Sequence, residues 1–394
     1  MKKSRIEIID ALRGFSLAGI VVVHIVEQYI GGPAPEQLSE TARQGLPDYI
    51  VDGFIQFFLR GKFFALFSIL FGMSFFIQFE NAEKKGEPYR LRYLWRILLL
   101  MLIGYAHHLF YRGDILTIYA LLAPFLILMI PVSNRGLWIM VGIVFLGIPR
   151  AIIFLIFGDQ SVFGGPMFLP DSPDVLSNWE VFKSGSIIEV WQANAIAGFK
   201  QKMEFQLGVF YRFYLTWAFF IVGMWLGRIK YFKRLDEYWP TTKRIFKWSF
   251  LGFFVFGALT AITFSQVGQE FSFSNPWAII GLHMADMINV CLTVIIFCGF
   301  VMVYQGDRGR KVLNVFKEYG RTALTNYVLQ SLIGTFILFG WGLGYIGEWR
   351  NSVLFCLALA IIIIQISMSK AWLRRVRYEP LEWIWRSATY GRWM

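Results

Sequence analysis

An apolar run over residues 8–30 opens the chain, and nine further runs follow it, separated by polar loops. Crossing the hydrocarbon core takes about 20 apolar residues in a helix. Lipid offers no partner to an open backbone, so only helices or a closed barrel can span it. The runs are continuous rather than alternating, which predicts an all-α polytopic transmembrane helix bundle of about ten spans. The expected spans are 8–30, 52–79, 94–110, 115–130, 137–157, 205–226, 245–264, 277–304, 322–339 and 352–372. The first is too long for a signal-peptide core and carries Asp10, Arg13 and His24, so it reads as a retained span.

Composition agrees with this reading: 56% of residues are hydrophobic and the mean hydropathy is +0.52. A net charge of +12 suggests nucleic acid at first sight. Its Lys and Arg sit in short loops between spans, however, where the positive-inside rule places them, so no nucleic-acid partner is expected. Cys291, Cys298 and Cys356 lie in apolar runs with no metal or disulfide spacing. Basic clusters mark the N-terminus, alternate loops and the tail, which puts both termini in the cytoplasm. The chain reads as one integral membrane domain, with residues 1–157 forming the first five spans and 205–394 the last five and the tail. Between them, 158–204 is an extracytoplasmic segment of short interfacial pieces. The basic, Trp-rich tail reads as an amphipathic helix at the membrane face.

An ionisable side chain within a span is costly and seldom idle. Arg13 and His24 are eleven residues apart. That is about 16 Å along a helix and close to three turns, so both share one face. With the orientation above, His24, His107, His108 and His283 all fall at the outer level, together with Asp52, Asp114 and Asp286. A neutral imidazole with a carboxylate partner is a general base for a hydroxyl or amine. His24, His107 and His108 are therefore candidate catalytic residues, with Asp52 and Asp114 as partners. Arg60 and Lys62 lie deep in the second span. His283 with Asp286, and the polar run of Arg321, Asn326 and Gln330, are candidate pathway residues. No metal site is expected, because the histidines have no ligand spacing.

The pieces DALRGFSLAGIVVV, FALFSILFGMSF, GDILTIYAL, GRTALTNYVLQS and EPLEWIWRSATYG occur in this order along nearly the whole chain. In them the chain resembles the YeiB-like family of bacterial multi-span membrane proteins. That family looks related to transmembrane acyltransferases of the heparan-alpha-glucosaminide N-acetyltransferase and polysaccharide O-acyltransferase types. The O-acyltransferases carry an arginine, ten intervening residues and a histidine on an early helix; Arg13 and His24 have that spacing. YeiB-like sequences commonly have asparagine at the position of His24, which makes His107 or His108 the alternative base.

The resemblance implies a multi-pass protein of a bacterial cytoplasmic membrane that moves an acyl group from cytoplasmic acyl-CoA, acetyl-CoA first among them, to an acceptor at the outer face. Arg13, Lys62 and Arg60 would meet the donor. The acceptor would be a hydroxyl or amine of a small molecule, lipid or glycan. Membrane lipids are the surrounding partners, and a homodimer stays open. The competing reading is a small-molecule transporter or channel, which a polar lining on many spans fits equally. A narrow tunnel from a basic inner mouth to the histidines would favour the enzyme. Broken helices around a midplane cavity would favour transport.

Overall fold

The structure is a computed structural model and describes residues 6–158, 161–163, 172–268, 271–391 and 393. Its described residues are helical, with no strand among them. The main helices are α1 (Glu7–Val26), α2 (Phe63–Glu83), α3 (Tyr89–Phe110), α4 (Leu116–Leu122), α5 (Phe125–Met129), α6 (Asn134–Phe145) and α7 (Ile148–Phe157). After the segment of short helices come α8 (Phe199–Leu207), α9 (Arg212–Arg228), α10 (Leu235–Ser265), α11 (Pro276–Gln305), α12 (Ala323–Leu338), α13 (Asn351–Arg375) and α14 (Pro380–Tyr390).

Among the described residues, six helices are long and apolar enough to cross a membrane, or up to eight if each bent pair counts as one span. About ten were expected from the apolar runs, and the difference has local causes. Pro124 has no amide hydrogen and clashes with the preceding turn, which splits the fourth expected span into α4 and α5. Gly147, at φ +75°, bends α6 against α7 by 45°. A break near Tyr211 bends the sixth span by 63°. The ninth, α12, has only 16 residues.

α1 is the hub. Over its apolar window 78% of the residues are buried, and it packs against α2, α11, α12 and α13. The hairpin of α10 and α11 is the opposite case. None of the apolar window of α10 is buried, so Trp248, Leu251 and Phe254 face outward, as lipid-facing residues do. α2 and α9 pack to backbone contact. A Cβ on Gly72 would stand 2.0 Å from the Phe220 carbonyl oxygen, and one on Gly223 would stand 1.9 Å from that of Ile69. Small residues let membrane helices approach to backbone contact in this way. Gly223→Leu is expected to lower stability by about 1–3 kcal/mol or more. Gly257→Leu, which meets open space on α10, should stay within about 0.5 kcal/mol. Thermal unfolding in detergent reads both, and equal effects would refute the close-contact account.

Candidate active site

At the C-terminal end of α3, His107 points into the turn that follows. Its Nδ1 lies 2.7 Å from the Asp114 carboxylate, and both side chains are fully buried. An ionised carboxylate only accepts, so Nδ1 carries the proton and Nε2 presents its lone pair. That Nε2 is buried with no protein partner. Asp114 is fixed in turn. Its oxygens cap α4, accepting from the amides of Leu116 (3.1 Å) and Thr117 (2.9 Å) and from the Thr117 hydroxyl (2.8 Å). The result is an imidazole oriented by a carboxylate, with its second nitrogen bare, which is the arrangement a general base requires.

The neighbouring His108 takes another role. Its Nε2 donates to the Asn194 carbonyl at 2.9 Å, while Lys202 Nζ donates to its Nδ1 at 2.9 Å. Lys202 also donates to the Thr117 hydroxyl at 2.7 Å and lies 3.8 Å from Asp114. One buried network thus ties His107, Asp114, Thr117, Lys202 and His108. Lys202 comes from α8, and its basic charge meets the charge of Asp114 inside the protein.

His24, near the C-terminal end of α1, faces the same place. Its ring centroid lies 4.8 Å from Tyr111 and 6.1 Å from Tyr327; His107 lies 6.2 Å and 5.0 Å from those rings. His24 Nδ1 is buried without a partner. Two imidazoles from separate helices therefore flank one pair of tyrosines.

The other sequence candidates lie elsewhere. His283 and Asp286 meet Arg150, at 3.3 Å and 2.5 Å, in a second cluster. Asp52 pairs with Arg43 at 3.3 Å. Arg60 pairs with Glu27 at 2.9 Å, and Lys62 donates to the Gln56 carbonyl at 2.8 Å. Gln330 is buried, and Tyr29 donates to its backbone carbonyl at 3.0 Å. Asn326 joins Thr322, Ser369 and Glu379.

A cavity of about 370 Å³ runs beside this arrangement, reaching Tyr327 and the turn at Ile115 and Leu116 but not the histidines themselves. Ile115, Leu116, Tyr119 and Tyr327 close it beside the His107 turn, and Arg13, Arg96 and Arg321 line its other part. Its middle is apolar, with Phe67, Leu70, Phe71 and Leu100. Arg13 reaches it on α1, held by Asp10 (3.2 Å) and the Ser74 hydroxyl (3.0 Å). Arg60 and Lys62 are not among its lining residues.

The tail forms one wall. The Glu382 carboxylate accepts from the amides of Leu324 (2.7 Å) and Thr325 (3.1 Å) and from the Thr325 hydroxyl, at the first turn of α12. Trp385 donates to the Arg96 carbonyl at 2.9 Å. Glu379, just before α14, is 6% exposed, and burial, aided by the nearby Glu382, raises its carboxyl to about 7. Because this folded value exceeds that of an exposed glutamate, near 4.3, its contribution to docking is full in acid and lost as pH rises through about 7. The protection of α14 against hydrogen exchange, corrected for the intrinsic pH dependence of exchange, is therefore expected to fall between about pH 4.5 and pH 7, and Glu379→Gln should abolish that fall. Equal pH dependence in the variant would refute the assignment.

Residues 226–392 match the family described as Protein of unknown function (DUF418). Over its whole length the chain is similar to YeiB of Escherichia coli strain K12, an uncharacterized protein: 24% identical over 97% of this chain and 95% of the relative. The chain is thus similar to the DUF418 family over its C-terminal part and to YeiB along nearly all of its length. Two Bacillus relatives extend the likeness. Uncharacterized protein YxaH of Bacillus subtilis strain 168 is 26% identical over all of this chain and 96% of its own length. The uncharacterized protein of the amylase 3′ region in Bacillus acidopullulyticus is 28% identical over 98% and 94%. No solved structure matches the chain. The DUF418 match covers α10 to α14, and so includes Tyr327, Arg321 and the tail wall, while the His107 turn lies outside it.

Proposed function

We propose that the protein is a membrane-embedded acyltransferase of a bacterial cytoplasmic membrane. It would take an acyl group from cytoplasmic acyl-CoA and pass it to a hydroxyl or amine acceptor at the outer face. The observation that carries this reading is the cavity joining an arginine-lined end to the turn that orients His107. With basic loops on the inside, the Arg13 end opens to the cytoplasm and the histidines lie toward the outer leaflet. The acyl arm would follow the apolar middle of the cavity and bring its thioester carbonyl to the tyrosine pair. His107 Nε2 would take the proton from the acceptor as its oxygen or nitrogen attacks, and the CoA thiolate would leave toward the cytoplasm. Asp114 would hold the ring in the working tautomer and stabilise the imidazolium that forms.

The transport reading draws on the two bent helix pairs, α6 with α7 and the pair meeting near Tyr211. It requires solute flux with no chemistry. Release of free thiol from acetyl-CoA by the purified protein, with soluble glycan and amine acceptors offered, separates the two. Acceptor-dependent release lost on changing His107 supports acyl transfer. Flux into proteoliposomes without release would replace it.

A further inference from the structure

The arginine end of the cavity carries more charge than the protein neutralises. Among its described lining residues are Arg13, Arg96, Arg321, Arg377 and Arg386, against a single acidic group, Glu382. That carboxylate is already occupied by the amides of Leu324 and Thr325 and the Thr325 hydroxyl. Arg13 has Asp10 beside it. The other four guanidiniums have no carboxylate partner among the described ion pairs. Arg321 Nε and Arg386 Nε are buried and without a hydrogen-bond partner. Burying such N–H donors unmet is costly unless an acceptor arrives.

The guanidiniums are nonetheless held in place. Arg96 lies over the Trp385 ring at 3.9 Å and donates to Gln78 at 2.9 Å. Arg386 lies over the Tyr378 ring at 4.6 Å. Stacking fixes the plane of a guanidinium and leaves its N–H edge free for a planar fork of acceptors. Several such forks facing one half-buried space suit multiple phosphate oxygens. Tyr390, 39% exposed, also lines this end and offers an aromatic face on which a base can stack.

We infer that this end of the cavity is a binding site for the phosphates of a nucleotide-linked carrier, and that the tail supplies Arg377 and Arg386 to it. The site takes a polyphosphorylated nucleotide whose thin arm continues into the apolar middle. That the carrier is an acyl-CoA rests on the acyl-transfer reading; the phosphate site itself does not. The same phosphate chemistry has a second source in an anionic lipid headgroup, which lacks the base.

Calorimetry on the purified full-length protein tests this, with coenzyme A, ADP and inorganic pyrophosphate as probes. The protein is held in nanodiscs of phosphatidylcholine alone or with phosphatidic acid. Coenzyme A is expected to bind, more weakly as salt rises, and Arg321→Gln and Arg386→Gln should each weaken it about tenfold or more. Where a glutamine variant melts earlier than the parent, Arg386→Lys keeps the charge, loses the fork and is still expected to weaken binding. Absence of coenzyme A binding at millimolar concentration, unchanged affinity in the arginine variants, or loss of binding only when phosphatidic acid is present would overturn the assignment. Normal binding with no thiol release would keep the phosphate site and remove acyl transfer.

Discussion

His107→Ala is expected to lower acceptor-dependent thiol release by about 10²–10⁴-fold while coenzyme A still binds. The expectation follows from the position of the ring. Only Nε2 has no hydrogen-bond partner, and the ring packs against Tyr327, which lines the cavity, although His107 itself is not among the lining residues. Asp114→Asn tests the orientation separately. Asparagine can still accept at one oxygen, but it lacks the charge that holds the imidazolium, so the same direction of loss is expected. Its amide would also face Lys202 across the network. His24→Ala divides two mechanisms. If His24 only lines the acceptor side, KM rises and kcat falls little; if it takes the proton itself, the loss matches that of His107. Full activity of His107→Ala would move the base to His24 and would end the account built on the Asp114 turn.

How much of this was legible in the sequence depends on what a helical register encodes. Depth along a span is encoded by position, so the shared level of His24, His107 and His108 followed from loop charges. The angular position around the bundle is set by packing. His283 sits at a comparable depth by sequence but meets Arg150 rather than the tyrosine pair. Arg60 and Lys62 flank Gly61, whose φ is +81°, after a π-helical turn over Ile55–Leu59. That local distortion redirects both side chains away from the cavity, and no periodicity announces it. The breaks at Pro124 and Gly147 were visible as residues, but whether each ends a span or merely bends one depends on neighbours. Arg96, Arg377 and Arg386 escaped notice as site residues because loop and tail arginines are expected from topology alone. Only the docking of α14 at the first turn of α12 turns them toward a shared space. Lys202 lies in the segment 158–204, outside every expected span, where no periodicity marks it; its buried partners show why it is where it is.

Arg150→Met is expected to destabilise the protein by about 3–5 kcal/mol, because breaking a buried pair strands the remaining charge. Arg150 is 2% exposed and satisfies four groups at once. Its Nε donates to the Val209 carbonyl at 2.9 Å, and its remaining nitrogens donate to the Phe210 carbonyl at 3.3 Å, to Asp286 at 2.5 Å and to His283 Nδ1 at 3.3 Å. Val209 and Phe210 belong to the break between α8 and α9, where the backbone leaves the helix and its carbonyls lose their helical partners. The guanidinium thus replaces the missing amides and fixes the 63° bend. Tyr211, at φ +67°, lies under it at 4.7 Å and donates to the Val144 carbonyl at 3.0 Å. Asp286→Asn should cost less, since the amide still accepts. The double variant Arg150→Met with Asp286→Asn should lose less than the sum, with a coupling within about 0.5–3 kcal/mol. His283 is saturated here, donating from Nε2 to the Phe145 carbonyl at 3.0 Å and accepting at Nδ1. It has no lone pair left for chemistry, so His283→Asn should change thermal stability and leave the rate of thiol release per folded molecule unchanged. Additive losses in the double variant, or a rate defect in His283→Asn that exceeds its loss of folded protein, would assign this cluster to the reaction instead of to the bend.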